Sequence, residues 1–576
     1  MAAAGPSVVE TRREQAFPTL EQAEIDRLRR FGEVRRYQSG ETLVRIGEVG
    51  RGLAVVLAGR VEITQNNSGK RELITTYEAG AFMGEIAQLS GRPALAEATA
   101  IEPVEALIIP PEKLRAVLIA EAELGERIMR ALILRRMGLL ERGTGGPVIV
   151  GPGDHGDVLR LDGFLSRSGH PHQSLDPGGD PEARALVERF GVDPGELPIV
   201  LCPDGRLLRN PSEDELARCL GMVGALDPDR VYDVAVIGAG PAGLATAVYA
   251  ASEGLSVLVL DCHAFGGQAG ASMRIENYLG FPTGITGMAL MARAYVQAQK
   301  FGAEMAMPDE AVGIEGEGTS GGGPYVVSLL NNERVRARSV VIATGARYRR
   351  LEVPDLERFE GSCVHYWASP LEGRLCGGQE VAVVGAGNSA GQAAVYLASR
   401  AAKVWLLVRG RDLGASMSRY LINRIEGLAN VEIITQAQVT GLEGQNHLEA
   451  VRWHLASGEE VRQPMRHLFL FIGASPNTKW LDPARVALDP KGFVLTGSDV
   501  AAGRRLLETS LDGVFAIGDV RAGSVKRVAA AVGEGAQVVA QLHSFLAKDT
   551  VLAGARGETP QPASAVSARS DKSPQF

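Results

Sequence analysis

Cysteine, aromatic residues and long apolar runs are all scarce in this sequence of 576 residues. The five cysteines include no C-x-x-C pair, which argues against a disulfide framework and against a zinc or other metal site. No run of about eighteen apolar residues occurs and the N-terminus has no signal-type apolar segment, so we expect no membrane contact and a cytoplasmic location. The net charge of −8 argues against a nucleic-acid partner.

Glycine is abundant instead, and three glycines mark the stretch VYDVAVIGAGPAG. The apolar residues of Val234–Ile237 predict a buried parallel strand. Gly238 permits a tight turn, Gly240 lets the backbone approach a pyrophosphate, and Gly243 lets the following helix pack closely. A second strand then ends in Asp261, where a ribose hydroxyl needs an acceptor. The stretch therefore predicts a dinucleotide-binding turn.

A second turn of the same kind follows the predicted strand Val381–Val384 and contains Gly385 and Gly387. The strand after its helix ends in Arg409 and Arg411 and has no carboxylate at its end. Arginine at this place suits a ribose 2′-phosphate, which indicates NADP rather than NAD. A solvated turn that carries the two arginines for solubility is the alternative.

Residues 231–545 resemble the low-molecular-weight thioredoxin reductases, a family of flavoproteins. The motifs that carry this resemblance are the two glycine turns and, in order, Phe265–Gln268, Ile275–Pro282, Val340–Ala346 and Gly513–Val520. The resemblance implies FAD as a cofactor, with contacts at Gly238, Gly240, Pro241, Ala242, Gly243, Asp261, Gly267, Gln268, Asn277, Gly518, Asp519, Val528 and Ala529. It implies NADPH contacts at Gly385, Gly387, Asn388, Ser389, Arg409 and Arg411.

The sequence departs from that family at the redox cysteines. The family carries a C-x-x-C pair shortly before the second glycine turn, whereas here 365–373 reads HYWASPLEG. Cys363 and Cys376 flank this region, and we expect both to be buried thiols. The resemblance also implies hinges near Arg347–Leu351 and Ile472–Asn477, about which the NADPH-binding domain would swing.

Short β-like runs separated by glycines predict a small antiparallel roll between Phe31 and Pro110. This region resembles the cyclic-nucleotide-binding domains through FMGEIA at 82–87 and LSGRP at 89–93. In that family a glutamate, here Glu85, binds the ribose hydroxyl. The arginine that binds the cyclic phosphate would fall on Ala94, with Arg92 two residues early. A roll that serves only for docking or oligomerisation is the alternative.

The segment that follows the roll resembles the thioredoxin and glutaredoxin family in its predicted βαβαββα order. Pro198 stands before a strand where that family carries its cis-proline. The loop 151–156, where the redox cysteines of the family would lie, reads GPGDHG. We expect Cys202 and Cys219 to be ordinary buried thiols, and the segment to serve as a spacer or docking module.

Together these features predict a multidomain fold: an N-terminal β-roll with helices, a small thioredoxin-like α/β segment and two Rossmann-like α/β dinucleotide-binding domains. The predicted divisions are a cyclic-nucleotide-binding-like domain 18–142, a thioredoxin-like segment 147–224, a discontinuous FAD-binding domain 231–349 and 473–545, an NADPH-binding domain 350–472, and a disordered tail 551–576.

The predicted function is that of an NADPH-dependent FAD oxidoreductase that passes hydride from NADPH to FAD and electrons on to an external acceptor. The acceptor stays open between a disulfide protein, an iron–sulfur protein, a quinone and oxygen. No side chain is needed as an acid or base, so no catalytic residue is predicted. Two alternatives remain: a ferredoxin- or flavodoxin-type NADP reductase, and a flavin- or nucleotide-responsive sensor that signals through the roll. Both resemblances imply a homodimer.

Overall fold

The structure is a computed structural model that describes residues 8–67, 70–84, 89, 92–142, 146–224, 226–272, 274–316, 324–368, 370–445 and 447–555. Glu85, the residue predicted to meet a ribose hydroxyl, lies outside these residues. The described strands form seven sheets, which fall in the predicted order along the chain. No helix among the described residues is long and apolar enough to cross a membrane.

The N-terminal roll consists of two four-stranded sheets that face each other across an apolar core. Its strands are β1 Glu33–Tyr37, β2 Thr42–Val44, β3 Leu53–Ala58, β4 Val61–Asn67, β5 Lys70–Tyr77, β6 Phe82–Met83, β7 Glu97–Ala100 and β8 Val104–Ile109. The sheet orders are β1-β8-β3-β6 and β2-β7-β4-β5. In β7 every second side chain is buried in this core, whereas in β3 the first four residues are all buried.

Helices close one end of the roll: α1 Val8–Thr11, α2 Arg13–Ala16, α3 Gln22–Leu28, α4 Pro111–Ala120 and α5 Ala122–Arg142. The sequence predicts a single helical stretch over 112–141. The structure divides it at Glu121, whose backbone leaves the helical region before α5 begins.

A small α/β segment follows, with β9 Val148–Val150, α6 Gly156–Arg167, β10 Gln173–Leu175, α7 Pro181–Phe190, β11 Ile199–Leu201, β12 Leu207–Arg209 and α8 Glu213–Cys219. Its sheet has the order β10-β9-β11-β12, with β9 and β10 parallel and the other pairs antiparallel. The βαβαββα order is the predicted one, Ser212 caps α8 as expected, and the Leu197–Pro198 peptide bond is cis.

The prediction that Cys202 and Cys219 are separate thiols was wrong, because the structure joins them in a disulfide. Cys202 directly follows β11, and Cys219 is the last residue of α8. The helix returns over the sheet and brings the two residues together across 17 positions of sequence. A spacing rule that looks for local cysteine pairs cannot detect such a contact.

The first dinucleotide unit is built on a seven-stranded sheet of order β15-β14-β13-β18-β17-β16, with β29 beside β18. Its elements are β13 Val231–Ile237, α9 Pro241–Ser252, β14 Val257–Leu260, α10 Gly267–Gly270, α11 Gly287–Lys300, β15 Glu304–Ala306, β16 Ala311–Glu315, β17 Tyr325–Leu329, β18 Arg334–Ile342, β29 Val514–Ala516 and α16 Val528–Ala555. Because helices cover β13 on the sheet, its residues Val234, Ala235 and Val236 are fully buried.

The second dinucleotide unit is inserted in the first. Its elements are α12 Leu356–Phe359, β20 Val364–His365, α13 Pro370–Leu375, β21 Glu380–Val384, α14 Asn388–Ala398, β22 Lys403–Val408, α15 Arg419–Glu426, β23 Val431–Thr435, β24 Ala437–Glu443, β25 Ala450–Leu455, β26 Glu460–Pro464 and β27 His467–Leu470. A parallel sheet of order β20-β27-β21-β22-β23 carries an antiparallel sheet, β24-β25-β26, on one side.

The two units are joined by an antiparallel ribbon of β19 Ala346–Tyr348 and β28 Ala474–Pro476. β28 lies within the predicted hinge Ile472–Asn477, and β19 overlaps the predicted hinge Arg347–Leu351 in two of its three residues. At the C-terminal end, α16 continues to Ala555, past the predicted start of the tail at 551, and residues 556–576 lie outside the described residues.

Candidate functional site

The first glycine turn has the geometry of an anion cradle at a helix N-terminus. Gly238 has φ +114°, and a Cβ there would collide with the carbonyl oxygen of Ala343. A Cβ on Gly243 would collide with the carbonyl oxygen of Gly238. Gly240 differs, because a Cβ on it would meet nothing within 4 Å, and it directly precedes α9. The free N–H groups of α9 therefore face open space that a pyrophosphate can enter.

Asp261 and the loop after it close this turn from the side of β14. The carboxylate oxygen Oδ2 accepts from the N–H of Ala239 at 2.8 Å, and Oδ1 accepts from the N–H of His263 at 3.0 Å. Burial raises the pKa of Asp261, and the two N–H donors counteract that rise. Gly267 lies beside Gly240, since a Cβ on it would be 3.2 Å from the Gly240 Cα. The structure thus brings these predicted residues together.

The predicted Gly-Asp pair at 518 and 519 reaches the same helix end. The N–H of Gly518 donates to the carboxylate of Glu534 at 2.6 Å, and Glu534 pairs with Arg521 at 2.6 Å. Burial raises the pKa of Asp519, whose carboxylate accepts no hydrogen bond from the part of the chain described here. That carboxylate can therefore receive a ligand hydroxyl. The sequence reasoning missed Glu534 and Arg521, which no local motif signals.

Four other predicted residues have different surroundings. Val528 and Ala529 begin α16, which packs against α9 so closely that a Cβ on Gly535 would be 2.7 Å from the carbonyl oxygen of Ala242. The side-chain amide of Gln268 donates to the carbonyl oxygen of Ala346 on the ribbon. Asn277 is exposed, and it forms no hydrogen bond with any residue within the described ranges.

The second glycine turn repeats the first, but its surroundings are open. A Cβ on Gly385 would be 2.5 Å from the carbonyl oxygen of Phe471, whereas one on Gly387 would meet nothing within 4 Å. Asn388 begins α14, and its Oδ1 accepts from the N–H of Ser418 at 2.7 Å. Arg409 and Arg411 are exposed beyond the end of β22 and have no ion-pair partner among the residues described.

Tyr348 lies where the two turns approach each other, and the sequence reasoning did not identify it. Burial raises the pKa of this tyrosine, a hydrogen bond with the side chain of Ser389 lowers it, and the charge of Asp519 raises it. Its ring also meets Phe471 edge-on, with 5.7 Å between ring centroids. One side chain on the ribbon thus contacts Ser389 beside the second turn and lies within the electrostatic influence of Asp519. Its position inside a predicted hinge was the signal that could have found it.

The region where the family would have its redox cysteines carries a tryptophan. The indole N–H of Trp367 donates to Glu372 at 3.0 Å, and the guanidinium of Arg167, from α6, lies 5.4 Å from the Trp367 ring centroid. Cys363 and Cys376 are both buried, as expected, and burial raises the pKa of Cys376 to about 12.

In the roll, Arg92 contacts the first dinucleotide unit. Its guanidinium donates to the hydroxyl of Tyr295 on α11 at 3.0 Å, across 203 residues of sequence. Tyr295 in turn stacks on Phe265, with ring centroids 4.4 Å apart. Ala94, at the predicted arginine position, pairs through its backbone with Gly47 and Glu48.

Comparison with known proteins agrees with this geometry. A family model described as pyridine nucleotide-disulphide oxidoreductase matches residues 232–535, and a cyclic nucleotide-binding domain model matches residues 34–121. The thioredoxin reductase of Mycolicibacterium smegmatis is 34% identical over 320 residues, which span 55% of this chain and 97% of that protein. The thioredoxin reductase of Bacillus subtilis (strain 168) is 32% identical over 314 residues, 54% of this chain and 93% of that protein.

A solved structure gives the same result. The thioredoxin reductase of T. acidophilum superposes with a TM-score of 0.50 at 29% sequence identity, covering 55% of this chain and 99% of that one. The predicted cofactors, FAD and NADPH, and the predicted reaction type are those of this family, and the N-terminal roll is a cyclic-nucleotide-binding-type domain. The chain therefore belongs to the pyridine nucleotide-disulphide oxidoreductases and is an NADPH-dependent FAD oxidoreductase of the thioredoxin-reductase type.

Proposed function

We propose that the first glycine turn holds FAD and the second holds NADPH, with the individual contacts predicted from the sequence. The observation that supports this most directly is the free space at Gly240 and at Gly387. At both glycines a Cβ would meet nothing within 4 Å, so each turn leaves room at a helix N-terminus. Asp261 would accept from a ribose hydroxyl of FAD, and Asp519 would accept from a hydroxyl farther along the molecule. Bound FAD and NADPH supply the hydride chemistry.

Arg409 and Arg411 would select NADPH by their charge. Both guanidinium groups are exposed beyond β22 and free to pair with a 2′-phosphate. A charge-assisted contact of this kind contributes about 1.5–3 kcal/mol. Ser389 and Tyr348 would orient the nicotinamide end, since their side chains meet at the junction of the two turns.

The electron acceptor we propose is an external redox protein that receives electrons without a cysteine relay in this chain. Support comes from Trp367, which stands in the region of the missing pair, and from the burial of Cys363 and Cys376. Anaerobic stopped-flow mixing of NADPH-reduced protein with a panel of acceptors tests this. The panel consists of a ferredoxin, a flavodoxin, a thioredoxin, a quinone and oxygen. Rapid reoxidation by one protein is expected, and rapid reoxidation by the quinone or oxygen alone would contradict it.

We also propose the domain divisions predicted from the sequence, a homodimer and a cytoplasmic location. The ribbon of β19 and β28 supports the inserted NADPH-binding domain, because the chain passes between the two units at these strands. The homodimer rests on the family resemblance, and light scattering on the eluted protein tests it. The need for NADPH supports a location inside the cell.

A sensor function is the second candidate, and one chain of contacts favours it. Arg92 of the roll binds Tyr295, Tyr295 stacks on Phe265, and the N–H of Gly266 donates to the carbonyl oxygen of Ala239 in the FAD turn. A ligand in the roll that attracts Arg92 would alter this chain. Because Ala94 provides no guanidinium, we expect cyclic AMP to bind weakly or not at all. Micromolar affinity by calorimetry, with a changed rate of flavin reduction, would favour the sensor.

A further inference from the structure

The disulfide between Cys202 and Cys219 fastens the short helix α8 to the sheet of the small α/β segment. Cys202 is only 2% exposed, whereas Cys219 is partly exposed at the end of the helix. The sulfur of Cys219 is therefore the one that a thiolate from solvent can approach. The guanidinium of Arg206 donates to the carbonyl oxygen of Cys219 at 2.9 Å and pairs with Asp204 at 2.6 Å. The Asp204 carboxylate lies within 4.8 Å of both sulfurs, so a positive and a negative charge flank the disulfide together.

The same helix carries the contacts between the small segment and the first dinucleotide unit. Near its N-terminus, Glu213 binds the Nδ1 of His263 at 2.9 Å. Near its C-terminus, Arg218 pairs with Asp309, whose side chain is 1% exposed, at 3.4 Å. Hydrogen bonds that the protonated ring of His263 donates to Cys262 and to Glu213 raise the pKa of this histidine to about 11.

These contacts lie next to the proposed ribose acceptor of FAD. The backbone N–H of His263 donates to Asp261, and the N–H of Asp309 donates to the backbone carbonyl oxygen of Asp261 at 2.8 Å. The partners of α8, His263 and Asp309, therefore bind Asp261 from two sides. Leu216 and Ala217 of this seven-residue helix are fully buried, and the disulfide adds a covalent link at the C-terminal end of the helix.

We propose that Cys202–Cys219 is a thiol–disulfide exchange site for an external dithiol, and that its redox state controls how α8 docks beside Asp261. The dithiol's thiolate attacks the Cys219 sulfur, the bond between the two cysteine sulfurs breaks, and the Cys202 sulfur leaves as a thiolate and takes up a proton. The dithiol's second thiolate then displaces Cys219. The external dithiol ends oxidised by two electrons, and both cysteines end as thiols.

The proposed exchange depends neither on the electron acceptor nor on the nicotinamide chemistry, because the external dithiol supplies both electrons. The exchange thus adds a second redox centre that responds to the thiol state of the surroundings rather than to NADPH.

Thiol counting on the unmodified full-length holoprotein tests the bond itself. After denaturation without reductant we expect three free thiols per chain, those of Cys262, Cys363 and Cys376, and after reduction with dithiothreitol all five. A native incubation with glutathione, a monothiol, should leave a mixed disulfide on Cys219, located by peptide mass spectrometry. Five thiols before reduction, or an adduct confined to Cys202, would overturn the proposal.

Hydrogen exchange on the native holoprotein tests the consequence. We expect dithiothreitol to increase the exchange rate of amides in 213–219 and 261–263 at least about tenfold, while the exchange of the β21–β22 sheet stays unchanged. Cys202→Ser should behave as the reduced protein with or without dithiothreitol. Glu213→Gln serves as a matched control, because it weakens the docking contact but leaves the disulfide and the count of three thiols intact. If reduction of the wild-type disulfide left amide hydrogen exchange in 213–219 and 261–263 unchanged, the proposal that the redox state governs the docking of α8 would be overturned.

Discussion

The two glycine turns share one backbone design and differ in what surrounds it. At the first turn, the Asp261 carboxylate receives two backbone N–H groups, the 266–267 loop lies against Gly240, and α16 packs on α9. At the second turn, Arg409 and Arg411 are exposed. A site enclosed on several sides suits a cofactor that stays bound through many turnovers, and an open one suits a cofactor that must leave after each.

The largest effect is expected when the open space of the first turn is filled. In Gly240→Val the side chain occupies the position of the pyrophosphate, so the purified protein should be colourless and hold no FAD. Flavin absorbance and released FAD after denaturation measure this. A Gly240→Val protein that retains one FAD per chain would show that the turn does not bind the pyrophosphate.

A glycine-to-valine substitution at the second turn should impair the use of NADPH without loss of FAD. Gly387→Val should keep its FAD but slow anaerobic flavin reduction by saturating NADPH about hundredfold, equivalent to roughly 3 kcal/mol. Reduction by dithionite, which needs no nicotinamide site, is the control and should be unchanged. Loss of FAD from this variant would contradict the assignment of the two turns.

A smaller effect is expected from the exposed arginines. Arg409→Ala should raise the Michaelis constant for NADPH roughly ten- to hundredfold, since each 1.4 kcal/mol of lost binding is about tenfold. The constant for NADH should hardly change, because NADH has no 2′-phosphate. Arg411→Ala is the matched comparison on the same exposed turn. Equal losses for NADPH and NADH would show that Arg409 does not bind the phosphate.

The smallest effect concerns the residue between the turns. Tyr348→Phe removes the hydroxyl that binds Ser389, and a single neutral hydrogen bond is worth about 0.5–1.5 kcal/mol. We expect flavin reduction by NADPH to slow about two- to tenfold, with FAD content unchanged. Tyr396→Phe, which alters a tyrosine beside Gly373 on α14 of the second unit, should have no such effect. An unchanged rate of flavin reduction in Tyr348→Phe would show that the hydroxyl of Tyr348 has no role in this step.

Local chemistry made much of this molecule predictable. The strand Lys403–Val408 and the cap of α8 at Ser212 follow from periodicity and from side chains within a few residues. Both glycine turns were also predictable from local chemistry, because the spacing of the glycines within each turn indicates its conformation.

The contacts that sequence reasoning missed join distant parts of the chain. Arg92 and Tyr295 are 203 residues apart, and nothing near Arg92 indicates that its partner is a tyrosine hydroxyl rather than a phosphate. Cys202 and Cys219 meet only because α8 folds back over its sheet. Glu534 reaches Gly518 from a helix that begins after the predicted motif has ended. Each of these depends on tertiary packing, which has no spacing signature.

The pairing of β18 with β29 has a consequence for the order in which the chain can fold during synthesis. Val340 pairs with Val514 and Ile342 with Ala516, while the whole second dinucleotide unit lies between these strands in sequence. The parallel sheet of the second unit is complete once β27 has been made, whereas the sheet of the first unit must wait for β29. A ribosome that releases the chain before residue 514 would therefore leave the second unit able to fold and the first unit with an unpaired strand edge.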